Sequence, residues 1–123
     1  EFKQSEGDPQ IKSKIRQKMR DASQRRMMQE LPTADVVITN PTHFACALKY
    51  DKERSEAPIL IAKGADYIAG KIKEVAKENK IPIVENKPLA RMLYFNVDLD
   101  EEIPGELYQM VAEVLAYVYS LKN

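Results

Sequence analysis

Two apolar, β-rich runs meet at one polar turn in "VVITNPTHFACALKY", residues 36–50. Proline has no N–H, pushes the residue before it to extended backbone and favours the second position of a tight turn, so Asn40-Pro41 reads as a turn. The flanking runs are too short and too rich in Val, Ile, Thr and Phe for helices, so they read as paired strands. Any fold for this chain has to place a hairpin tip at Asn40-Pro41-Thr42-His43. The same turn holds the single histidine, and the single cysteine, Cys46, follows three residues later.

The rest of the chain changes period around that hairpin. "EGDPQIKSKIRQKMRDASQRRMMQELP" predicts a helix, with Asp8 as cap, Pro9 at the first helical position and Pro32 ending the run. Ile11, Ile15 and Met19 recur at helical spacing, but the stripe is narrow for a core-facing helix. "PILIA" predicts a third strand and "KGADYIAGKIKEVAKENK" an amphipathic helix with Ile68, Ile72 and Val75 inward. "IPIVE" predicts a fourth strand and "KPLARMLYF" a short helix. After the acidic loop "NVDLDEEIPG", a closing helix turns Leu107, Val111, Val114, Leu115 and Val118 to one side. The expected fold is α/β: a small mixed four-stranded sheet packed with helices, preceded by a basic N-terminal linker helix.

Charge supports a division near residue 34. Net charge is zero, yet residues 1–34 carry eight Lys/Arg against five Asp/Glu, and residues 11–26 carry seven basic residues with one acid. We therefore expect a basic linker helix over 1–34 and an α/β domain over 35–123. Three readings of the helix stand: a solvated linker, a segment meeting an anionic lipid or protein surface, and a nucleic-acid contact. No nucleic acid is expected, because aromatics do not interleave the basic residues and the sequence pI is about 6.9.

Composition removes several classes of chemistry. One cysteine excludes an internal disulfide and fits a reducing compartment. Cysteine and histidine together supply two ligands, too few for a zinc site without carboxylates, so no metal is expected. Gly-rich phosphate loops are absent from the sequence, and no cofactor is expected. No apolar run approaches the ~20 residues of a membrane span.

The turn itself carries chemistry. Usually the following residue's nitrogen attacks an asparagine side chain, but Pro41 has no N–H and closes that route. The reverse attack remains: the Asn40 side-chain nitrogen closes on its own main-chain carbonyl, forms a succinimide and expels Pro41 as a new amino terminus. Asn40 is then the nucleophile and Pro41 the leaving group. Thr42 is a candidate donor to the developing oxyanion or only to the turn backbone. His43 sits at the fourth turn position, either as base near neutral pH or as a structural hydrogen-bonding residue. A plain β-turn is the alternative for Asn-Pro alone, since the dipeptide is common in turns. Cys46 reads as a small core residue rather than a nucleophile.

These residues carry a resemblance. "ADVVITNPTHFACALKYD", "AKGAD", "KPLARMLY" and "IPGELYQMVAEVLAYV" resemble segments of the cytoplasmic domain of the FlhB/YscU family, the export-gate switch proteins of bacterial type III secretion. "EFKQSEGDPQIKSKIRQ" resembles that family's linker, so the likeness covers essentially the whole chain. "PLARMLY" and "PGELY" are closer to the flagellar FlhB branch than to the virulence-injectisome branch. The resemblance implies a membrane-anchored protein at the cytoplasmic face of the bacterial inner membrane, with its membrane part before residue 1. It implies self-cleavage between Asn40 and Pro41 with both fragments staying associated. It also implies docking of export substrates and a length-control protein, contact with other export-apparatus components, and a change of substrate class after cleavage. On this reading the chain is no turnover enzyme.

A docking patch follows from the same resemblance: Ala57 and Pro58 as an exposed apolar edge before the third strand, with Ala112 and Leu115 spaced to form one shallow hollow. Ordinary packing is the alternative for these four. For the chain as a whole, the alternatives are a non-cleaving protein-interaction module and a small RNA-binding α/β domain.

Overall fold

A computed structural model of the protein describes residues 8–41 and 43–121. Helix α1 (Pro9–Glu30) starts where the sequence places it. The Asp8 carboxylate accepts the Gln10 N–H at 2.9 Å, and Pro9 occupies the first turn, where a missing N–H costs nothing. A short 3-10 turn over Leu31–Thr33, with Pro32 inside it, ends the helix. Ile11, Ile15 and Met19 all stand in solvent, as the narrow stripe predicts. Packing nevertheless begins earlier than the composition change at residue 34. Met27 and Leu31 are buried beside Val37, Ile61 and Ile72, so the end of α1 is bolted to the body.

Strands β1 (Val36–Asn40), β2 (Phe44–Lys49), β3 (Ile59–Ala65) and β4 (Ile83–Glu85) form one sheet in the order β3-β2-β1-β4. The β1–β2 and β2–β3 pairs are antiparallel and β1–β4 is parallel, so the sheet is mixed, as expected. Helix α2 (Asp66–Glu78) makes the crossover between β3 and β4, and α3 (Lys87–Asn96) and α4 (Tyr108–Leu121) close the opposite face.

Both faces of the sheet are covered. Val36, Ile38, Cys46, Leu48 and Leu60 pack with Leu89 and Leu93 of α3 and Val111, Val114, Leu115 and Val118 of α4. Val37, Ala45, Ala47, Ile59, Ile61 and Ala62 pack with the end of α1 and with Ala69, Ile72 and Ala76 of α2. Phe44, Cys46 and Leu48 of β2 face one side of the sheet. The other side is buried too, because Ala45 and Ala47 are small enough to let α2 approach.

The expected start of α2 at Lys63 is corrected. The ladder carries β3 on through Cys46↔Lys63, Ala45↔Gly64 and Phe44↔Ala65, so the helix starts three residues later. Gly64 is required there, since a Cβ would fall 2.3 Å from Ile68 Cγ2 as α2 folds back over the strand. At the junction Asp66 takes a φ of 49°, a left-handed conformation that aspartate tolerates better than most residues. A register shift beside Ala47/Leu48 leaves Ile61 as an extra residue in β3.

The second half closes with ordinary caps. Lys80 ends α2 with a φ of 58°, and the Ile81 N–H donates to the Ala76 carbonyl at 2.8 Å. The Asn86 side chain accepts the Leu89 N–H at the start of α3. Leu107, Val111, Val114, Leu115 and Val118 are all buried. Among the described residues no helix is long and apolar enough to cross a membrane.

Candidate functional site

The hairpin tip is a tight turn. Asn40, the last residue of β1, lies opposite Phe44, the first of β2, and the His43 N–H donates to the Asn40 carbonyl at 2.9 Å. Pro41 is therefore the second turn residue, the position its fixed φ suits. Thr42 lies outside the described residues. Pro41 and the His43 side chain are exposed, whereas Thr39, one residue before Asn40, is buried.

Main-chain bonds grip the turn on both sides of the Asn40-Pro41 bond. Upstream, the Asn86 N–H donates to the Thr39 carbonyl at 2.9 Å, beyond the end of the parallel β1–β4 ladder. Downstream, the His43 carbonyl accepts the Asp66 N–H at 2.9 Å, and the Pro41 carbonyl accepts from the Lys73 ammonium at 3.0 Å. The Asp66 carboxylate stands 3.9 Å from His43 Nδ1, with both side chains well exposed, so this pair adds little stability. Phe44 anchors the start of β2 by stacking on Tyr94 at 4.5 Å between centroids and meeting Phe95 edge-on.

The chemistry of this arrangement is local. The carbonyl that Asn40 would attack already accepts an N–H, the donor a developing oxyanion needs. Lys73, Asp66 and Tyr94 are neighbours that sequence reasoning missed. Nothing in the sequence separates Lys73 from the other lysines of α2; only the crossover brings that helix back to the hairpin tip.

Cys46 takes no part. It is buried in the middle of β2, its thiol donates to the Ala90 carbonyl at 3.6 Å, and burial pushes its pKa up from 9.0 to about 12 against a small opposing pull from Lys63. A thiol held neutral this way is a core group. Among the described residues no cluster of three or more His, Cys, Asp or Glu side chains is arranged for a metal ion.

The opposite end of the sheet carries the second feature. Ala57, Pro58, Ala112 and Leu115 line one hollow of about 240 Å³, together with Tyr50, Ile103, Tyr108 and Val111. Sequence reasoning placed these four residues in one patch, and the fold does bring them together. The expected exposed edge at Ala57 is corrected: Ala57 is buried, its N–H held by Ser55 Oγ at 3.1 Å, and Pro58 is half-buried. The Ile103 N–H donates to the Pro58 carbonyl and pulls the acidic loop over this edge. Ala112 stands on the rim and Leu115 forms part of the floor.

Fold and site together define a small mixed α/β domain with an Asn-Pro hairpin turn at one end of its sheet and an apolar hollow at the other. The sequence profile of the FlhB HrpN YscU SpaS family matches residues 1–118, and the chain belongs to that family. It is similar to the flagellar biosynthetic protein FlhB of Bacillus subtilis (strain 168), with 57% identity over 123 residues, covering 100% of this chain and 34% of the relative. The flagellar biosynthetic protein FlhB of Salmonella typhimurium is 54% identical over 123 residues, covering 100% of this chain and 32% of the relative. The chain thus spans about a third of the length of these relatives. Among solved structures, the cytoplasmic domain of FlhB from Shewanella putrefaciens superposes with a TM-score of 0.78 at 55% identity, covering 80% of this chain and 76% of that one. A mutated EscU C-terminal domain gives a TM-score of 0.71 at 29% identity, covering 75% and 92% of the two chains.

Proposed function

We propose that this chain is the cytoplasmic switch region of a bacterial flagellar export component, which cuts itself once between Asn40 and Pro41 and docks export substrates. One observation carries the reading: the Asn-Pro bond sits at a hairpin tip where the His43 N–H already rests on the Asn40 carbonyl. The Asn40 side-chain nitrogen adds to that carbonyl carbon, loses a proton and closes a five-membered succinimide. The Asn40-Pro41 bond breaks, and the Pro41 nitrogen takes a proton to become a free amine. Atoms balance without water, which enters only if the succinimide later hydrolyses. His43 serves as base or as orienter of the turn, and Thr42 as a further donor.

The demand on rate is mild, because each molecule reacts once. Completion in minutes to hours corresponds to a barrier of roughly 21–24 kcal/mol, within reach of orientation and one well-placed donor. The cut also leaves the fold intact. Residues 36–40 remain paired with residues 44–48 across β1–β2, and separating them would expose both apolar faces of the sheet.

In this reading the hollow at Pro58 receives an apolar element of an export substrate or of a length-control protein, and residues 1–34 link the domain to a membrane part and to other export-apparatus components. The basic helix lies near the membrane surface. Denatured mass of the wild-type chain beside Asn40→Ala tests the chemistry. We expect the wild type to divide into residues 1–40 and 41–123, with masses summing to the parent or exceeding it by one water, and the variant to stay whole. An undivided wild-type chain after prolonged incubation would reduce the function to docking alone.

A further inference from the structure

Helix α2 holds the segment just after the scissile bond at both ends. The Asp66 N–H binds the His43 carbonyl, and the Lys73 ammonium, nearly two turns along the helix, binds the Pro41 carbonyl at 3.0 Å. The Lys73 contact falls on the one group that tells two turn types apart. Type I and type II turns share the bond from the fourth residue's N–H to the first residue's carbonyl. They differ by a flip of the central peptide, which points the second residue's carbonyl to opposite sides. Here that carbonyl belongs to Pro41, which, like His43, is exposed to solvent.

Lys73 is well placed to stop the flip. It follows Ile72, which is fully buried, so its backbone is fixed against β3 and only its stem can move. The side chain itself is half-buried. A fixed Pro41 carbonyl fixes ψ of Pro41, and with it the direction from which the His43 N–H reaches the Asn40 carbonyl.

We propose that Lys73 is a positioning residue for the self-cleavage: its ammonium pins the Pro41 carbonyl and keeps the His43 N–H on the carbonyl under attack. The inference rests on the cleavage reading above and adds a residue to it from a different element. Lys73 makes no contact with the reacting atoms in this role. It acts through the turn, so a hydrogen-bond donor of similar reach should replace it.

The test compares Lys73→Met, which keeps the stem and loses the donor, with Lys73→Arg, which keeps a donor. Cleavage is followed by denatured mass over time, with melting temperatures to confirm that all three chains fold. We expect Lys73→Met to cut about tenfold more slowly, as loss of orientation alone would give, and Lys73→Arg to recover most of the rate. In parallel, hydrogen exchange of the His43 amide is measured in an Asn40→Ala chain with and without Lys73→Met, where no cut intervenes. That exchange should speed up severalfold in the double variant. Lys73→Met cutting at the wild-type rate would overturn the proposal. A slower Lys73→Met with no recovery in Lys73→Arg and unchanged His43 exchange would overturn it as well. If the wild type itself stays whole, the cleavage reading fails separately. The His43 exchange then still decides whether Lys73 holds the turn, and unchanged exchange rejects it.

Discussion

The two ends of strand β2 are built on opposite physical terms. At the Phe44 end Pro41 and His43 are solvent-exposed, and the turn is held by main-chain hydrogen bonds and one lysine. At the Tyr50 end, about 20 Å away by strand rise, the hollow is apolar and its floor is the core itself, through Ile103, Val111 and Leu115. The turn can change covalently with little cost to packing, whereas the hollow cannot change without disturbing the core. On the proposed function this is a division of labour: the region to be cut is kept out of the core, and the region that presents one shape is made from it.

The largest stability effect should therefore come from the hollow. Leu115→Ala removes a nearly buried side chain that packs with the sheet face. It should cost about 2 kcal/mol, the low end for such truncations because one side of the site is open. Urea unfolding checks this, and cleavage at Asn40-Pro41 should proceed at the wild-type rate. A slowed cut in this variant would mean that the two ends are coupled through the sheet.

Cys46 lies between the two ends and gives a pH-dependent effect, which stays below that of Leu115→Ala only within about one pH unit above the ordinary thiol value. Burial holds the folded thiol to about 12 against an ordinary 9.0, so above 9.0 the folded protein keeps a proton that the unfolded chain has lost. The unfolded state then binds fewer protons, and stability falls as pH rises from the ordinary value toward the folded one, by up to about 1.4 kcal/mol per pH unit. Urea midpoints on either side of the ordinary thiol value should show this loss, and Cys46→Ala should show a shallower one. Equal slopes for the two chains would remove the thiol as the cause.

The smallest stability effect belongs to the turn. Asn40→Ala should abolish the cut yet shift unfolding by no more than about 0.5 kcal/mol, the range of substitutions that remove no core contact. A large loss of stability in that variant would show that the turn is part of the framework.

The same contrast explains what the sequence made legible. The turn from Asn40 to His43 was readable because its determinants are local: a missing N–H and a fixed φ act within four residues. The strands were readable from period, and so was the buried face of the closing helix from Val111 to Val118, although Leu107, expected in that helix, lies in the 3-10 turn just before it. What failed depended on approach between distant segments. The extension of β3 to Ala65 rests on its ladder with β2 and on Gly64 making room for α2. The docking of α1 rests on Met27 and Leu31, which a basic helix gave no reason to single out. Lys73 was invisible because its partner, the Pro41 carbonyl, is 32 residues away along the chain. Ala57 was misjudged as exposed because the loop at Ile103, which bonds to the neighbouring Pro58 carbonyl, lies far along the chain from it.

On the proposed function the chain is cut at a hairpin tip and held together by the sheet that the tip joins. Mass measurement of the incubated wild-type protein, first under native and then under denaturing conditions, tests it most directly. The expected result is a single native particle of the parent mass, with one added water if the succinimide has opened, that separates on denaturation into residues 1–40 and 41–123. One undivided chain in both conditions would contradict the cleavage, and two free fragments under native conditions would contradict the sheet as the bond between them.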